Sequence, residues 1–286
     1  MRDVEDSDAL QRRAGTGSRV TLTRIHVFPS SAIFVVDDAV ASLTFNRPEA
    51  MNALTWDMYD ALAHACDRVD FDRSIRVFVV KGAGKAFAAG TDIAQFKTLS
   101  TREDAIAYER RLDAIIDRLE SVAATTIAQV QGVAAGGGCA IAFGCDLRVC
   151  TPAARFGVPI AKTLGNCLSA ANCARMLDLV GPARLKDLLF TGRFMGAAEA
   201  DALGLVTRMA EPDTVEQVTS ELAATIVANA PLTIQATKET VRRIQASRRI
   251  DKEAIDDLIA SCYTSEDFRN AVAAFLDKRP PTFSGR

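Results

Sequence analysis

Residues 126–130 form an apolar, β-like run and residues 140–143 an apolar, helix-like one, and between them lies Gln131-Gly132-Val133-Ala134-Ala135-Gly136-Gly137-Gly138-Cys139. A strand that feeds a helix through consecutive glycines leaves backbone N–H groups open at the helix N-terminus, where the helix dipole favours negative charge. Without side chains in the way, a ligand reaches the main chain. The stretch is read as built to hold an anion, or an oxygen that becomes one during a reaction. It also demands a buried strand running directly into a helix, so the chain around it has to be an α/β protein.

The rest of the sequence agrees. Residues 33–36 and 40–45 are β-rich runs around the turn Asp37-Asp38-Ala39, and residues 77–80 are a short, wholly apolar strand closed by Gly82-Ala83-Gly84. Residues 147–150 read as a further buried strand. Leu54, Met58, Ala61, Leu62 and Ala65 mark one stripe of a helix over residues 53–69, and residues 104–119 read as a long amphipathic helix. Beyond Pro159 the pattern is helical, over residues 168–179, 183–190, 197–203, 215–229, 231–243, 252–262 and 265–276. Gly181-Pro182 and Ala230-Pro231 mark breaks, because proline opens helices and cannot continue them. Short buried strands with helical crossovers imply an α/β core. The expected division is a flexible tail over residues 1–31, which are polar and mixed in charge, a core over 32–229 and a helical region over 230–286.

Composition excludes several classes. A formal charge of −2 over 286 residues leaves no nucleic-acid footprint. The seven cysteines are scattered without a C-x-x-C pair, which fits reduced thiols in a cytoplasmic protein better than a disulfide framework or a metal site. No run approaches the roughly 18 apolar residues of a membrane helix, and the N-terminus has no apolar signal core.

A second backbone-rich loop follows residues 77–80: Gly82-Ala83-Gly84-Lys85-Ala86-Phe87-Ala88-Ala89-Gly90-Thr91-Asp92-Ile93. A phosphate-cradling P-loop needs a longer glycine spacing and a hydroxyl residue after the lysine, where Ala86 stands, and G-x-G-x-x-G is not met either. Two small-residue loops, each preceded by a buried strand, suggest instead that each supplies one N–H to a shared oxyanion hole. Removing one such donor typically costs about 3–4 kcal/mol of transition-state stabilisation.

Asn46-Arg47-Pro48-Glu49-Ala50-Met51-Asn52-Ala53-Leu54, Ala86-Phe87-Ala88-Ala89-Gly90-Thr91-Asp92-Ile93 and Gly132-Val133-Ala134-Ala135-Gly136-Gly137-Gly138-Cys139 together resemble the successive signatures of the crotonase (enoyl-CoA hydratase/isomerase) superfamily. Gly192-Arg193 and Gly204-Leu205-Val206 resemble its later landmark, so the likeness covers about residues 32–278. It implies an α/β fold, a spiral of ββα units with an all-helical C-terminal trimerisation region. It further implies a homotrimer or hexamer, no permanently bound cofactor, and coenzyme A entering as part of an acyl-CoA substrate. By motif position the oxyanion hole is the backbone N–H of Thr91 and of Gly137. The backbone around Ala86 and Ala88 is implied to bind the adenine and pantetheine parts of coenzyme A. Asp92, Ile93, Gly136 and Ile160 border the substrate in the same scheme, although Asp92 also reads as a helix cap. Lys278 resembles a lysine that reaches the coenzyme A phosphates from a neighbouring subunit.

The chain departs from that pattern where hydratases of the superfamily carry two glutamates, for here those positions are Ala140 and Ile160. Hydration of an enoyl thioester needs a positioned acid and base, and neither alanine nor isoleucine is one. Replacements are sought nearby. Some relatives, among them dienoyl-CoA isomerases and a chlorobenzoyl-CoA dehalogenase, carry a catalytic aspartate at about the place of Cys167. Cys167 is read either as a thiolate activated by a helix N-terminus or as a small hydrophobe ahead of an apolar helix. Asp113, on the long helix with Tyr108, Glu109 and Leu112, is the second candidate, with a solvated helix face as its alternative. Lys162 and Asn166 are weighed against loop solvation, and Cys139 and Cys145 are assigned to the core. Two functions stay open: an acyl-CoA enzyme with unusual acid/base residues, or a non-catalytic acyl-CoA-binding scaffold.

Overall fold

The apolar runs of the first half assemble into a sheet that starts ahead of the expected core, at Ala9, and ends within it, at Met209. The computed structural model describes residues 9–12, 22–27 and 30–286. Its strands are β1 (Ala9–Arg12), β2 (Leu22–Val27), β3 (Ala32–Asp37), β4 (Val40–Phe45), β5 (Val77–Gly82), β6 (Thr125–Val130), β7 (Val133–Ala135), β8 (Leu147–Cys150), β9 (Arg155–Gly157), β10 (Met195–Gly196) and β11 (Arg208–Met209). The larger sheet has the order β1-β2-β3-β4-β5-β6-β8-β11, and a smaller one the order β10-β9-β7. The helices are α1 (Trp56–Phe71), α2 (Arg102–Glu120), α3 (Gly137–Gly144), α4 (Ile160–Thr163), α5 (Ala170–Thr191), α6 (Ala197–Ala202), α7 (Val215–Ala228), α8 (Pro231–Ala246), α9 (Asp256–Tyr263) and α10 (Glu266–Leu276). No helix among the described residues is long and apolar enough to cross a membrane.

β4, β5, β6 and β8 pair in parallel. β6 is buried at all six positions and β5 at all but Lys81, which is why neither shows the apolar-in, polar-out alternation of a strand with one face in water. α1 and α2 are the crossovers that parallel pairing requires, and their apolar stripes close the main core with Phe34, Phe78, Leu62, Ile116 and Leu119. α2 opens on a reciprocal cap in which Thr101 and Asp104 each accept from the other's backbone N–H.

Because β5 and β6 are adjacent and parallel, the loops at their C-terminal ends emerge side by side. These are the two glycine-rich loops of the sequence. They pack main chain against main chain: a Cβ on Gly132, whose φ is +66°, would stand 2.0 Å from the Lys85 carbonyl oxygen. Ala88 bridges Ala134 in parallel. A third loop is locked to the second by Asn52, fully buried at φ +55°. Its Nδ2 donates to the carbonyls of Ala83 (2.9 Å) and Ala86 (2.8 Å), and its Oδ1 accepts from the Arg47 amide (2.9 Å). Asn52→Ala strands these groups in the interior and forces alanine into left-handed backbone. It is expected to cost about 2–3 kcal/mol, read as a lower urea midpoint at unchanged slope.

Several expectations need correction. Two segments of the stretch expected to be a tail, β1 and β2, pair antiparallel with each other, and β2 pairs with β3; the other residues up to Pro29 lie outside the described ones. α1 starts at Trp56 rather than at residue 53, because Thr55 caps it by accepting from the Met58 amide. β7 and β9 are strands to which the sequence reading assigns no element. Residues 168–179 and 183–190 join as α5 across a kink at Gly181 (φ 74°, ψ 165°) ahead of Pro182. Cys139 and Cys145 are buried, as expected of core residues.

Candidate active site

Between the two glycine loops, the segment from β9 to α5, and the helices α2 and α10 lies a cavity of about 610 Å³, mostly apolar in its lining. Thr91, Asp92, Ile93, Gly136, Gly137, Ala140, Ile160 and Cys167 all border it, so the structure brings together most of the residues singled out above. Met51, Val133 and Arg155 also border an outer cleft that runs past Lys85 and Ala86.

The Thr91 amide lies between two committed neighbours. Leu54 N–H donates to the Gly90 carbonyl and Asp92 N–H to the Leu54 carbonyl (2.8 and 2.9 Å). Neither Thr91 nor Gly137 donates its own amide among the turn, loop and cap hydrogen bonds of the described residues. Gly137 opens α3, where the first N–H groups have no intrahelical acceptor. The two residues are close: a Cβ on Gly137 would stand 3.3 Å from Thr91 Oγ1 and 1.9 Å from Tyr59 Oη. Thr91 Oγ1 shares hydrogen bonds with the hydroxyls of Tyr59 (2.9 Å) and Tyr108 (3.1 Å). Burial pushes both phenols well above their ordinary range, so they stay neutral.

Asp92 caps the turn that follows it, its Oδ1 accepting from Ala94 N (3.1 Å), while Oδ2 pairs with Arg47 (3.1 Å). Ala86 borders the outer cleft. The Ala88 backbone is spent within the fold: its N–H donates to Val133 and its carbonyl accepts from Ala135. Ala88 borders neither cavity. Lys278 is exposed beyond α10 and borders neither cavity of its own chain.

The two acid/base candidates fare differently from expectation. Asp113 is buried but does not line the cavity. It accepts from Ser169 Oγ (2.6 Å) and Asn172 Nδ2 (3.3 Å) and lies 3.8 Å from Arg175. Its carboxyl is pushed up by burial and pulled back by Ser169 and Arg175. The group ties α2 to α5 rather than facing a ligand. Cys167 does line the cavity, yet its hydrogen bond with Cys262 and its burial push the thiol up, not down. Of the two readings of Cys167, the uncharged thiol agrees with this direction and the thiolate does not.

The residue that sequence reasoning passed over is Glu109. It lines the cavity and is 3% exposed. Tyr263 Oη donates to its Oε1, while its buried Oε2 has no partner. Burial pushes its carboxyl up to about 8, helped by Asp113 and opposed by the Tyr263 hydroxyl and the Ser169 main chain. The signal was present: Ala105, Tyr108, Glu109, Leu112 and Ile116 share one helical stripe, all buried, and a glutamate inside an apolar stripe is an anomaly. The folded state holds its proton more tightly than the unfolded chain does. The stability it contributes is therefore complete below its ordinary value of 4.5 and is lost as pH rises through about 8. Thermal stability is expected to fall across that window, and Glu109→Gln to flatten the fall.

A sheet of this order, with paired glycine turns around an apolar cavity and a helical C-terminal end, is the crotonase fold. The chain belongs to the enoyl-CoA hydratase/isomerase family, whose model matches residues 36–286. It is 33% identical over 256 residues to the short-chain-enoyl-CoA hydratase of Clostridium acetobutylicum, covering 87% of this chain and 96% of that one. Among solved structures it is similar to an enoyl-CoA hydratase/carnithine racemase from Magnetospirillum magneticum, with 34% identity, a TM-score of 0.72, and 90% and 96% of the two chains covered. It is also similar to methylmalonyl-CoA decarboxylase in complex with 2-nitronate-propionyl-CoA, with 26% identity, a TM-score of 0.82, and 90% and 99% covered.

Proposed function

We propose that the protein is an acyl-CoA-processing enzyme of the enoyl-CoA hydratase/isomerase type, in which the Thr91 and Gly137 amides hold the thioester oxygen as it gains charge. The observation that carries this reading is that amides from two separate turns, neither spent on a turn, loop or cap acceptor, border one apolar cavity. Preorganised donors in a site of low polarity stabilise an enolate or tetrahedral oxyanion without reorganising at the moment of reaction. The acyl group occupies the cavity. Coenzyme A leaves through the outer cleft, where Lys85 and Arg155 suit its phosphates. Acid/base work falls to groups other than Ala140 and Ile160, which border the cavity without any titratable atom.

The region from residue 230 onward is the assembly surface in this reading. α8 buries none of its residues in the single chain, leaving Leu232, Val241 and Ile244 at least half exposed around it, apolar area that a trimer covers. Lys278 then reaches the coenzyme A phosphates of a neighbour. The test combines a panel of saturated, enoyl and aryl CoA thioesters, followed for binding and by mass spectrometry for products, with sedimentation. Binding of thioesters, turnover of at least one class and a trimer or hexamer are expected. Absence of binding across the panel would overturn the reading, binding without turnover would mark a scaffold, and a stable monomer would remove the assembly.

A further inference from the structure

Of the carboxyl groups that line the acyl cavity, Asp92 is fully engaged by Arg47 and the Ala94 amide, and Glu109 is not. Resting on the acyl-CoA reading above, we infer that Glu109 is the proton carrier of this site, and that the reaction it suits is a 1,3-proton shift moving the double bond of an unsaturated acyl thioester.

Three observations carry the assignment. Glu109 is held in one orientation: Asn166 Nδ2 donates to Tyr263 Oη (3.0 Å), and Tyr263 Oη donates to Glu109 Oε1. Its other oxygen, Oε2, is buried without a partner, as is Asn166 Oδ1 on the same cavity. A buried polar atom left unpaired is costly unless something else satisfies it. The remaining titratable groups on the wall are unsuited. Tyr108 is a neutral phenol bonded to Thr91, Cys167 is a protonated thiol facing Cys262, and the guanidinium of Arg155 has donors only and lies where the cavity meets the outer cleft.

One unengaged carboxyl sets the type of reaction. Hydration adds water across two carbons and asks for a base on the water and an acid on the carbon. A double-bond shift returns the proton it removes, so one group serves both halves. Starting from a β,γ-unsaturated thioester, the Glu109 carboxylate takes a proton from the α carbon. The C–H electron pair becomes a dienolate with its charge on the thioester oxygen. The Glu109 acid then gives that proton to the γ carbon, the double bond settles between the α and β carbons, and the thioester carbonyl reforms. No water, oxidant or second acid is consumed.

The groups facing Glu109 are Tyr59 from α1, Tyr108 and Asp113 from α2, Cys167 and Asn166 from the segment before α5, Cys173 from α5 and Tyr263 from α9. Burial and Asp113 set a carboxyl of about 8 against the Tyr263 hydroxyl, near the range where a base both ionises and holds a proton. Tyr263 and Asn166 are positioning residues.

The experiment follows trans-3-hexenoyl-CoA in heavy water by conjugated-thioester absorbance and by deuterium uptake at the α and γ carbons. Unmodified protein is expected to isomerise it, with a rate rising to a midpoint near pH 8. Glu109→Gln is expected to lower isomerisation and exchange by at least about 100-fold with thioester affinity unchanged, and Glu109→Asp to restore part. Tyr263→Phe, which removes a hydrogen bond to the carboxylate, is expected to move the midpoint upward, a shift that a merely structural tyrosine would not produce. A Glu109→Gln protein that keeps more than about a tenth of the rate overturns the assignment. If that variant does not fold, a pH-independent rate in the unmodified protein overturns it equally. Thioester binding by unmodified protein without exchange at either carbon defeats the Glu109 assignment and leaves the acyl-CoA reading standing, whereas failure to bind any thioester defeats both.

Discussion

Gly137→Ala is expected to cut turnover of a CoA thioester by about 100- to 1,000-fold, the loss that follows removal of one oxyanion donor. The substitution keeps the amide in the chain and changes only what surrounds it. The added methyl would stand 1.9 Å from Tyr59 Oη and 3.3 Å from Thr91 Oγ1. Tyr59 is fully buried, so its ring has nowhere to go, and relief has to come from α3 turning its first N–H away from the cavity. Affinity for the thioester is expected to fall less than kcat, because the amide matters most once the oxygen carries charge. Tyr59→Phe on top of Gly137→Ala removes the colliding oxygen and leaves the ring carbon beneath it at 3.2 Å, so it should return part of the rate. Thr91→Ala, which retains the backbone N–H and loses only the hydroxyl shared with Tyr59 and Tyr108, should cost far less. Full kcat in a folded Gly137→Ala protein would exclude Gly137 from the oxyanion contact.

The asymmetry between what could and could not be seen beforehand has a physical origin. β5 and β6 were visible because both are buried on both faces: residues 77–80 are wholly apolar, and β6 sets Ile127, Ala128 and Val130 among the uncharged Thr125, Thr126 and Gln129. The glycine loops were visible because main chain packs on main chain there: Gly132 meets the Lys85 carbonyl where any side chain would collide. Backbone chemistry of this sort leaves its mark in residue type. The carboxyl groups of α2 leave a fainter one, for a glutamate in an apolar stripe is out of place without showing what it faces. Glu109 and Asp113 lie four residues apart on one buried stripe of α2, and the helix alone does not say which faces the cavity and which faces α5. That depends on how α2 sits against Ser169, Asn172 and Tyr263, residues far along the chain. The choice between the two readings of Cys167 was hidden for the same reason: a helix N-terminus argued for a thiolate, but Cys262 arrives from α9 and keeps the proton on sulfur. β7 and β9 are three residues each, too short for a period-two pattern to register.

The other large effect expected is on stability, from Arg175→Met. Arg175 sits on α5 with its side chain 2% exposed, opposite an acidic ridge on α2 made by Asp113, Asp117 and Glu120. Those three recur at helical spacing and so present one face. Arg175 binds Asp117, donates through Nε to Glu120 (2.8 Å), lies 3.8 Å from Asp113 and anchors Asn172 Oδ1 (3.0 Å). Methionine fills much of the same volume and removes the charge alone, leaving Asp113 in particular without its cation. Breaking a buried pair from one side typically costs about 3–5 kcal/mol, because the stranded charges remain desolvated. Arg249 and Lys252 hold the outer edge of the ridge around Asp117 and Glu120, and of the two Lys252 acts on Asp113 only from a distance, with less effect than Arg175. Asp113→Asn in the Arg175→Met background should therefore recover part of the loss, since a neutral amide needs no counter-ion. Urea unfolding measures both, and added salt should change neither by much, because buried pairs are poorly screened. A loss below about 1 kcal/mol for Arg175→Met is the size of an exposed pair and would mean that water reaches the ridge. Since Ser169 and Asn172 on this network also border or flank the wall carrying Asn166 and Cys167, the same substitution should loosen the acyl cavity first. Thioester affinity should then drop at denaturant concentrations where the fold as a whole is still intact.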